Sequence, residues 1–187
     1  EKILVYVYRK YKGHSVESLC QEAVNRGFNA QSFHGDMTAT QRQNIIEDFR
    51  NNKTEIIFAT NAFGMGIDKS NVSYVFHYNM PKSIEAYYQE AGRAGRDGSD
   101  ADCILLYNGS DVHTARFLIE NGSDNEELDP IQQAMIRKQD LARLEAMTGY
   151  CKTQTCLRGY ILEYFGQKHL ELCGNCGSCK GNFEDVD

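Results

Sequence analysis

No apolar run in this 187-residue chain approaches the ~18 residues that a membrane-spanning helix needs. The longest, Ile3-Leu4-Val5-Tyr6-Val7-Tyr8, is the size of a strand. A secretory signal is not expected, since the chain opens on Glu1-Lys2 and enters that run directly. An initiator methionine is missing too, so an excised piece of a longer protein is expected. Cations are not in excess: 20 Lys and Arg stand against 26 Asp and Glu, a net charge of −6. That balance excludes a surface that grips nucleic acid all round and requires any such contact to use locally clustered cations. No Gly-x-x-x-x-Gly-Lys-Ser/Thr phosphate loop occurs, so nothing in the chain can cradle a triphosphate by that route. Internal repeats are absent as well.

The composition that remains is ordinary. A hydrophobic fraction of 41% and a charged fraction of 25% argue against wholesale disorder. At roughly 100–200 residues per domain, the length allows one domain or one with a small appendage. Strand-like and helix-like patterns alternate over the first hundred residues. Strands are expected at Ile3–Tyr8, Asn29–Phe33, Ile56–Ala59, Val72–His77 and Cys103–Tyr107. Ser15 is an expected N-cap for a helix with Val16, Leu19, Cys20, Ala23 and Val24 on one face, ending at Gly27. Thr38 and Gln41 make a capping box for a helix carrying Ile45, Ile46 and Phe49, and Ser83–Gly92 is a third helix. Such alternation with continuous apolar strands predicts an α/β fold, a parallel sheet covered by helices on both faces. Ligands of such sheets gather at loops beyond the carboxyl ends of the strands.

Beyond Asn108 the pattern turns helical. Asp111–Glu120 reads as a helix, Asn121–Asp129 as an acidic solvated connector, and Pro130 as the first turn of a helix with Ile131, Ala134, Met135 and Leu141 in phase. Leu157, Tyr160, Ile161, Tyr164 and Phe165 make a stripe at 3.6 spacing that Gly166 ends. Cys173-x2-Cys176-x2-Cys179 follows, three of seven cysteines on one glycine-bearing loop. Without a secretory signal, metal ligation is the better reading than a disulfide framework, and the expected compartment is reducing and intracellular. A structural Zn²⁺ needs four tetrahedral ligands, and the fourth is Cys156 or Cys151. Cys156 is preferred because it begins the striped helix, whose positive end favours a thiolate. His169 is a further alternative.

Two segments look chemical. Ala59-Thr60-Asn61-Ala62-Phe63-Gly64-Met65-Gly66-Ile67-Asp68-Lys69 pairs glycines after a buried strand, with Thr60 and Asn61 as short polar donors. Tyr87-Tyr88-Gln89-Glu90-Ala91-Gly92-Arg93-Ala94-Gly95-Arg96-Asp97-Gly98 sets two arginines three apart, and their planar forks suit phosphate oxygens. A surface loop with solvated arginines is the bland alternative.

At these residues the chain resembles motifs V and VI of the RecQ family of DNA helicases. Cys156-x16-Cys173-x2-Cys176-x2-Cys179, with the preceding Tyr164-Phe165-Gly166, resembles that family's zinc subdomain. The resemblance implies a second RecA-like lobe over 1–108 and a helical zinc-binding subdomain over 109–187. The first lobe would supply the ATP and Mg²⁺ site in cis, and single-stranded and duplex DNA would be the partners of a monomer with no membrane association. It implies ATP-driven 3′-to-5′ translocation with unwinding of the duplex, in the nucleoid of a bacterium or the nucleus of a eukaryote, and no ATP turnover by this piece alone. Arg96 would be the arginine finger, Arg93 a second γ-phosphate or lobe-coupling contact, and Gln89 the link from nucleotide state to lobe closure. Gly66 and Asp68 would face the nucleotide or the interlobe cleft. Thr60, Asn61, His34 and Arg9, the arginine of motif IV, would lie on DNA. Tyr8 stands where motif IV commonly has a small Ser. His34-Gly35-Asp36-Met37 is more similar to DEAD-box RNA helicases, which keeps an RNA helicase lobe as an alternative. Those proteins, however, usually carry His-Arg in place of Gln89-Glu90 and lack the four cysteines. A non-catalytic zinc-stabilised nucleic-acid-binding module is the third reading.

Overall fold

The structure is a computed structural model that describes residues 1–8, 14–63, 71–122, 129–169 and 171–181. It divides into two compact units, Glu1–Pro81 with Glu85–Asp111, and Lys82–Ile84 with Val112–Asp187. In the first, five strands form one sheet: β1 (Ile3–Tyr6), β2 (Ala30–Phe33), β3 (Ile56–Ala59), β4 (Tyr74–His77) and β5 (Asp102–Leu105). All pairs are parallel, in the order β2-β3-β1-β4-β5. The helices α1 (Val16–Asn25) and α2 (Ala39–Arg50) separate the first three strands, and α3 (Ile84–Ala91) follows β4.

Local chemistry sets the helix starts. The Ser15 hydroxyl accepts from the Ser18 N–H at 3.2 Å while Ser18 returns the bond to the Ser15 N–H at 2.8 Å. Thr38 and Gln41 exchange the same pair at 3.2 and 2.9 Å. Each such cap is worth about 1 kcal/mol. The strands are shorter than their apolar runs. β1 stops at Tyr6 because the Tyr8 N–H leaves the ladder for the Asn79 side-chain oxygen at 3.2 Å. Asn79 in turn donates to Asp111 at 3.3 Å, and the second Asp111 oxygen takes the Met80 N–H at 3.0 Å, so the end of this unit is tied to the loop after β4.

Register places Leu4, Tyr6, Ile57, Ala59, Val75 and His77 on one buried face of the sheet. Phe33, Phe49, Phe63 and Val72 complete that core, with the rings of Phe33 and Phe63 edge to face at 4.9 Å. Ile3, Val5, Tyr74 and Phe76 on the opposite face are only half-buried.

The second unit is helical. After α4 (Gly109–Asn121) come α5 (Pro130–Lys152), α6 (Leu157–Tyr164) and the short α7 (Gly177–Lys180). Most of the expected acidic connector lies outside the described residues. Asp129 caps α5, accepting the N–H groups of Ile131 and Gln132 at 2.8 and 2.9 Å. The apolar face expected at Ile131, Ala134 and Met135 is exposed, and burial falls instead on Leu144, Met147 and Tyr150. Those three lie in the C-terminal half of α5, the half against which α6 packs, with the Tyr160 hydroxyl donating to the Ala146 carbonyl at 3.1 Å and its ring 5.9 Å from that of Tyr150. Among the described residues no helix is long and apolar enough to cross a membrane.

Phe49 is fully buried and its ring lies 6.3 Å from that of Phe63. Phe49→Ala is therefore expected to cost the first unit about 3–5 kcal/mol, read as a lower denaturation midpoint.

Candidate metal centre and arginine cluster

Four thiols converge at the start of α6 and around α7. The ligand atoms of Cys156, Cys173, Cys176 and Cys179 all lie within 4.8 Å of one another. The Cys176 and Cys156 sulfurs are 3.9 Å apart and those of Cys173 and Cys179 4.0 Å. Tetrahedral bonds of ~2.3 Å to Zn²⁺ would set sulfurs about 3.8 Å apart, so the cluster fits that ion. Cys156 is the N-cap of α6 and takes the Gly159 N–H at 3.3 Å; Cys176 caps α7 and takes the Cys179 N–H at 3.5 Å. The Cys179 N–H favours the Cys176 thiolate. At Cys176 burial opposes ionisation, but the N–H and thiol of Cys179, the Leu157 N–H and the Cys173 thiol outweigh it and bring the group to about 6. The Asn175 N–H chiefly holds Cys173 below its ordinary value. Cys151 stands outside the group. So does His169, whose ring packs on α6: a Cβ on Gly159 would lie 2.7 Å from its Nδ1, which leaves only glycine room there.

The arginines sit in the turns that follow α3. Gly95 makes the turn possible with φ of +61°, donates its N–H to the Val72 carbonyl at 2.9 Å, and would bring any Cβ to 2.7 Å from the Ser99 carbonyl oxygen. The turn is thereby pinned to the segment entering β4. Arg96 is exposed and its Nε donates to the Gly92 carbonyl at 3.2 Å; Gln89 is exposed on α3. Arg93 is half-buried. Thr60 is turned inward, its hydroxyl accepting the Ala62 N–H at 3.4 Å, whereas Asn61 is exposed. His34 is half-buried with Nε2 3.0 Å from a Glu17 carboxylate oxygen. Arg9, Gly66 and Asp68 lie outside the described residues.

The comparisons fit both halves of this arrangement. Residues 1–98 match the helicase conserved C-terminal domain, and residues 109–180 match the RecQ zinc-binding domain. The chain belongs to the RecQ family of helicases. It is 45% identical over 150 residues to the ATP-dependent DNA helicase RecQ of Bacillus subtilis, which covers 80% of the chain and 24% of that protein. It is 36% identical over 165 residues to the RecQ of Pasteurella multocida, covering 88% of the chain and 24% of that relative. The chain thus spans about a quarter of the length of these curated relatives. Among solved structures, the Escherichia coli DEAD-box protein SrmB aligns with a TM-score of 0.52 at 26% identity, over 60% of this chain and 62% of that one.

In this RecQ-family chain the zinc module accounts for the four-thiol cluster, and the parallel sheet for the helicase lobe. What sequence reasoning passed over is a buried polar group beside the arginines. One Glu90 oxygen accepts from the Tyr8 hydroxyl at 2.8 Å and lies 2.9 Å from His77 Nε2, with Glu90 only 8% exposed and His77 fully buried. A hint was available: Glu90 falls three residues after Tyr87 on a face of α3 that is otherwise apolar. Nothing local, however, could name its partners on β1 and β4. For the metal centre, Cys176→Ser is expected to lower zinc content and soluble yield together, whereas Cys151→Ser keeps one zinc per chain, read by atomic emission on the purified protein.

Proposed function

We propose that this chain is the second RecA-like lobe, residues 1–108, and the zinc subdomain, residues 109–187, of an ATP-dependent 3′-to-5′ DNA helicase. The observation that carries the proposal is the presence on one chain of a helicase C-terminal lobe with an arginine turn and of a four-thiol module. ATP, bound with Mg²⁺ by a preceding lobe in cis, is the energy source. The tasks of this chain are positional. Exposed Arg96 would meet the charge that develops on the transferred phosphoryl group, as an arginine finger does. Arg93 would be the second γ-phosphate or lobe-coupling contact, and Gln89 would report nucleotide state to lobe closure. Gly66 and Asp68 would face the nucleotide.

DNA contact would fall to Asn61, Arg9 and His34, with Thr60 acting through the turn that its hydroxyl holds. Zn²⁺ on Cys156, Cys173, Cys176 and Cys179 would be structural: four protein thiolates leave no open position for substrate. The working unit would be a monomer in a reducing compartment, bacterial nucleoid or eukaryotic nucleus. A DEAD-box-like RNA lobe has His34–Met37 in its favour; the four-thiol cluster speaks for DNA.

Because one side of the nucleotide site would come from another lobe, the isolated 187 residues are expected to show no ATP turnover in a coupled phosphate-release assay. Turnover that vanished in Arg96→Ala would overturn that division of labour. In the parent helicase, Arg96→Ala is expected to lower DNA-stimulated hydrolysis by roughly 10³-fold or more while leaving nucleotide affinity within a few fold. Full activity would remove the finger role.

A further inference from the structure

α3 buries side chains three residues apart, Ile84, Tyr87 and Glu90, while Tyr88 and Gln89 stay exposed. The stripe therefore ends on a carboxylate where its pattern calls for an apolar group. Two donors reach the same oxygen of Glu90, Oε2: the Tyr8 hydroxyl from beyond β1 at 2.8 Å and His77 Nε2 from β4 at 2.9 Å. A proton on Nδ1 of His77 would set the Nε2 lone pair against the carboxylate, so Nε2 carries the proton and donates the bond. The buried Nδ1 has no hydrogen-bond partner among the described residues, which leaves the carboxylate as the polar anchor of that ring.

Both donors are themselves held. Tyr6 stacks on His77 at 5.2 Å, and the Tyr87 ring lies 5.0 Å from it. The Tyr8 N–H is bound to Asn79 at 3.2 Å, and Asn79 to Asp111 at 3.3 Å. At this seat α3 ends. The Arg93 N–H takes the Glu90 carbonyl at 3.3 Å and the Ala94 N–H takes that of Ala91 at 3.0 Å, a three-residue step in place of the helical four. Glu90 thus joins two systems: its side chain is fastened to the ends of β1 and β4, and its carbonyl receives the backbone of Arg93. A buried charge adds little stability over an apolar side chain of similar volume. What this one adds is a fixed position for the helix end.

We infer that Glu90 is a positioning residue for Arg93 and Arg96: Tyr8 and His77 clasp its carboxylate, and the helix end so fixed sets where the arginine turn begins. The inference rests on the ATP-facing roles proposed for those arginines and adds what holds them. The far end of the turn is pinned separately, through the Gly95 N–H on the Val72 carbonyl. Opening the clasp would let the near end shift against that pin, and Arg93 lies between the two.

The test measures DNA-stimulated ATP hydrolysis by variants of the parent helicase. Glu90→Leu is expected to lower kcat about ten-fold and Tyr8→Phe at least about three-fold, with KM for ATP changed less than about two-fold, because misplaced arginines weaken the transition state more than nucleotide binding. Glu90→Gln keeps an oxygen that both donors can reach and should hold kcat within about two-fold of the parent. Tyr8→Phe combined with Glu90→Leu should be no slower than Glu90→Leu alone, since both open one clasp. Ile57→Val, a core change in β3, is the control for a merely structural loss: its kcat should stay at the parental value at a temperature where all variants are folded. Tyr8→Phe, the milder change, decides the matter if Glu90→Leu does not fold. A Tyr8→Phe enzyme with parental kcat, an additive double variant, a Glu90→Gln enzyme as slow as Glu90→Leu, or equal slowing by Ile57→Val would overturn the inference. If Arg93→Ala and Arg96→Ala both keep full hydrolysis, the arginine roles fail and the inference falls with them; if those two are slow and Tyr8→Phe is not, only the positioning role fails.

Discussion

The pairing of β1 with β4, parallel and in register, is the constraint on which the chemistry of the sheet unit depends. It sets Tyr6 beside His77 on the buried face, and the pairing of β1 with β3 sets Tyr6 opposite Ala59, so that the carboxyl ends of three strands finish at one level. A slip of one residue would turn Tyr6 and His77 to the opposite face, because side chains alternate along a strand. The Glu90 carboxylate would then be buried with neither His77 nor Tyr8 in place. An apolar core alone would tolerate some repacking; a buried carboxylate with two specific donors does not. The polar cluster therefore specifies the register, and the register presents the arginine turn.

The helical unit is organised by a different force. Among its described residues beyond 111, the buried hydrophobic side chains are Leu144, Met147, Tyr150 and Cys156, a small core for the chain it must order. Four thiols at tetrahedral spacing supply what that core lacks. Structural zinc in small modules contributes on the order of 10–16 kcal/mol, at least as much as the roughly 6–12 kcal/mol from burying four such side chains. Cys156 belongs to both systems: it is buried against the helices and is a member of the thiol group. Through it, the packing of α6 on α5 and the metal site depend on each other.

Much of this was legible in the residues themselves. Ser15, Thr38 and Asp129 mark helix starts because a cap is a local hydrogen-bond problem with a local answer. The apolar runs locate all five strands, with errors at their ends. The apolar run carries strand character through Tyr8 because local chemistry permits it; the Asn79 side chain that takes the Tyr8 N–H lies 71 residues away. The buried face of α5 differs from the expected one for a similar reason. Ile131 and Met135 have the right period, but periodicity reports which residues share a face and not whether a neighbour covers it.

The sequence by itself determined the elements and their order, the parallel sheet implied by βα alternation, the family, and the cysteines that could share a metal, since spacing and local hydrogen bonding suffice for each. Only the tertiary structure decided that Cys156 and not Cys151 joins the thiol group, that Thr60 points inward while Asn61 faces solvent, and that Tyr8, His77 and Glu90, with Tyr6 stacked on His77, form one cluster at the end of α3. Those outcomes depend on which side chains from distant segments reach hydrogen-bonding distance, and burial makes an unmet polar group costly enough that the fold must resolve each of them.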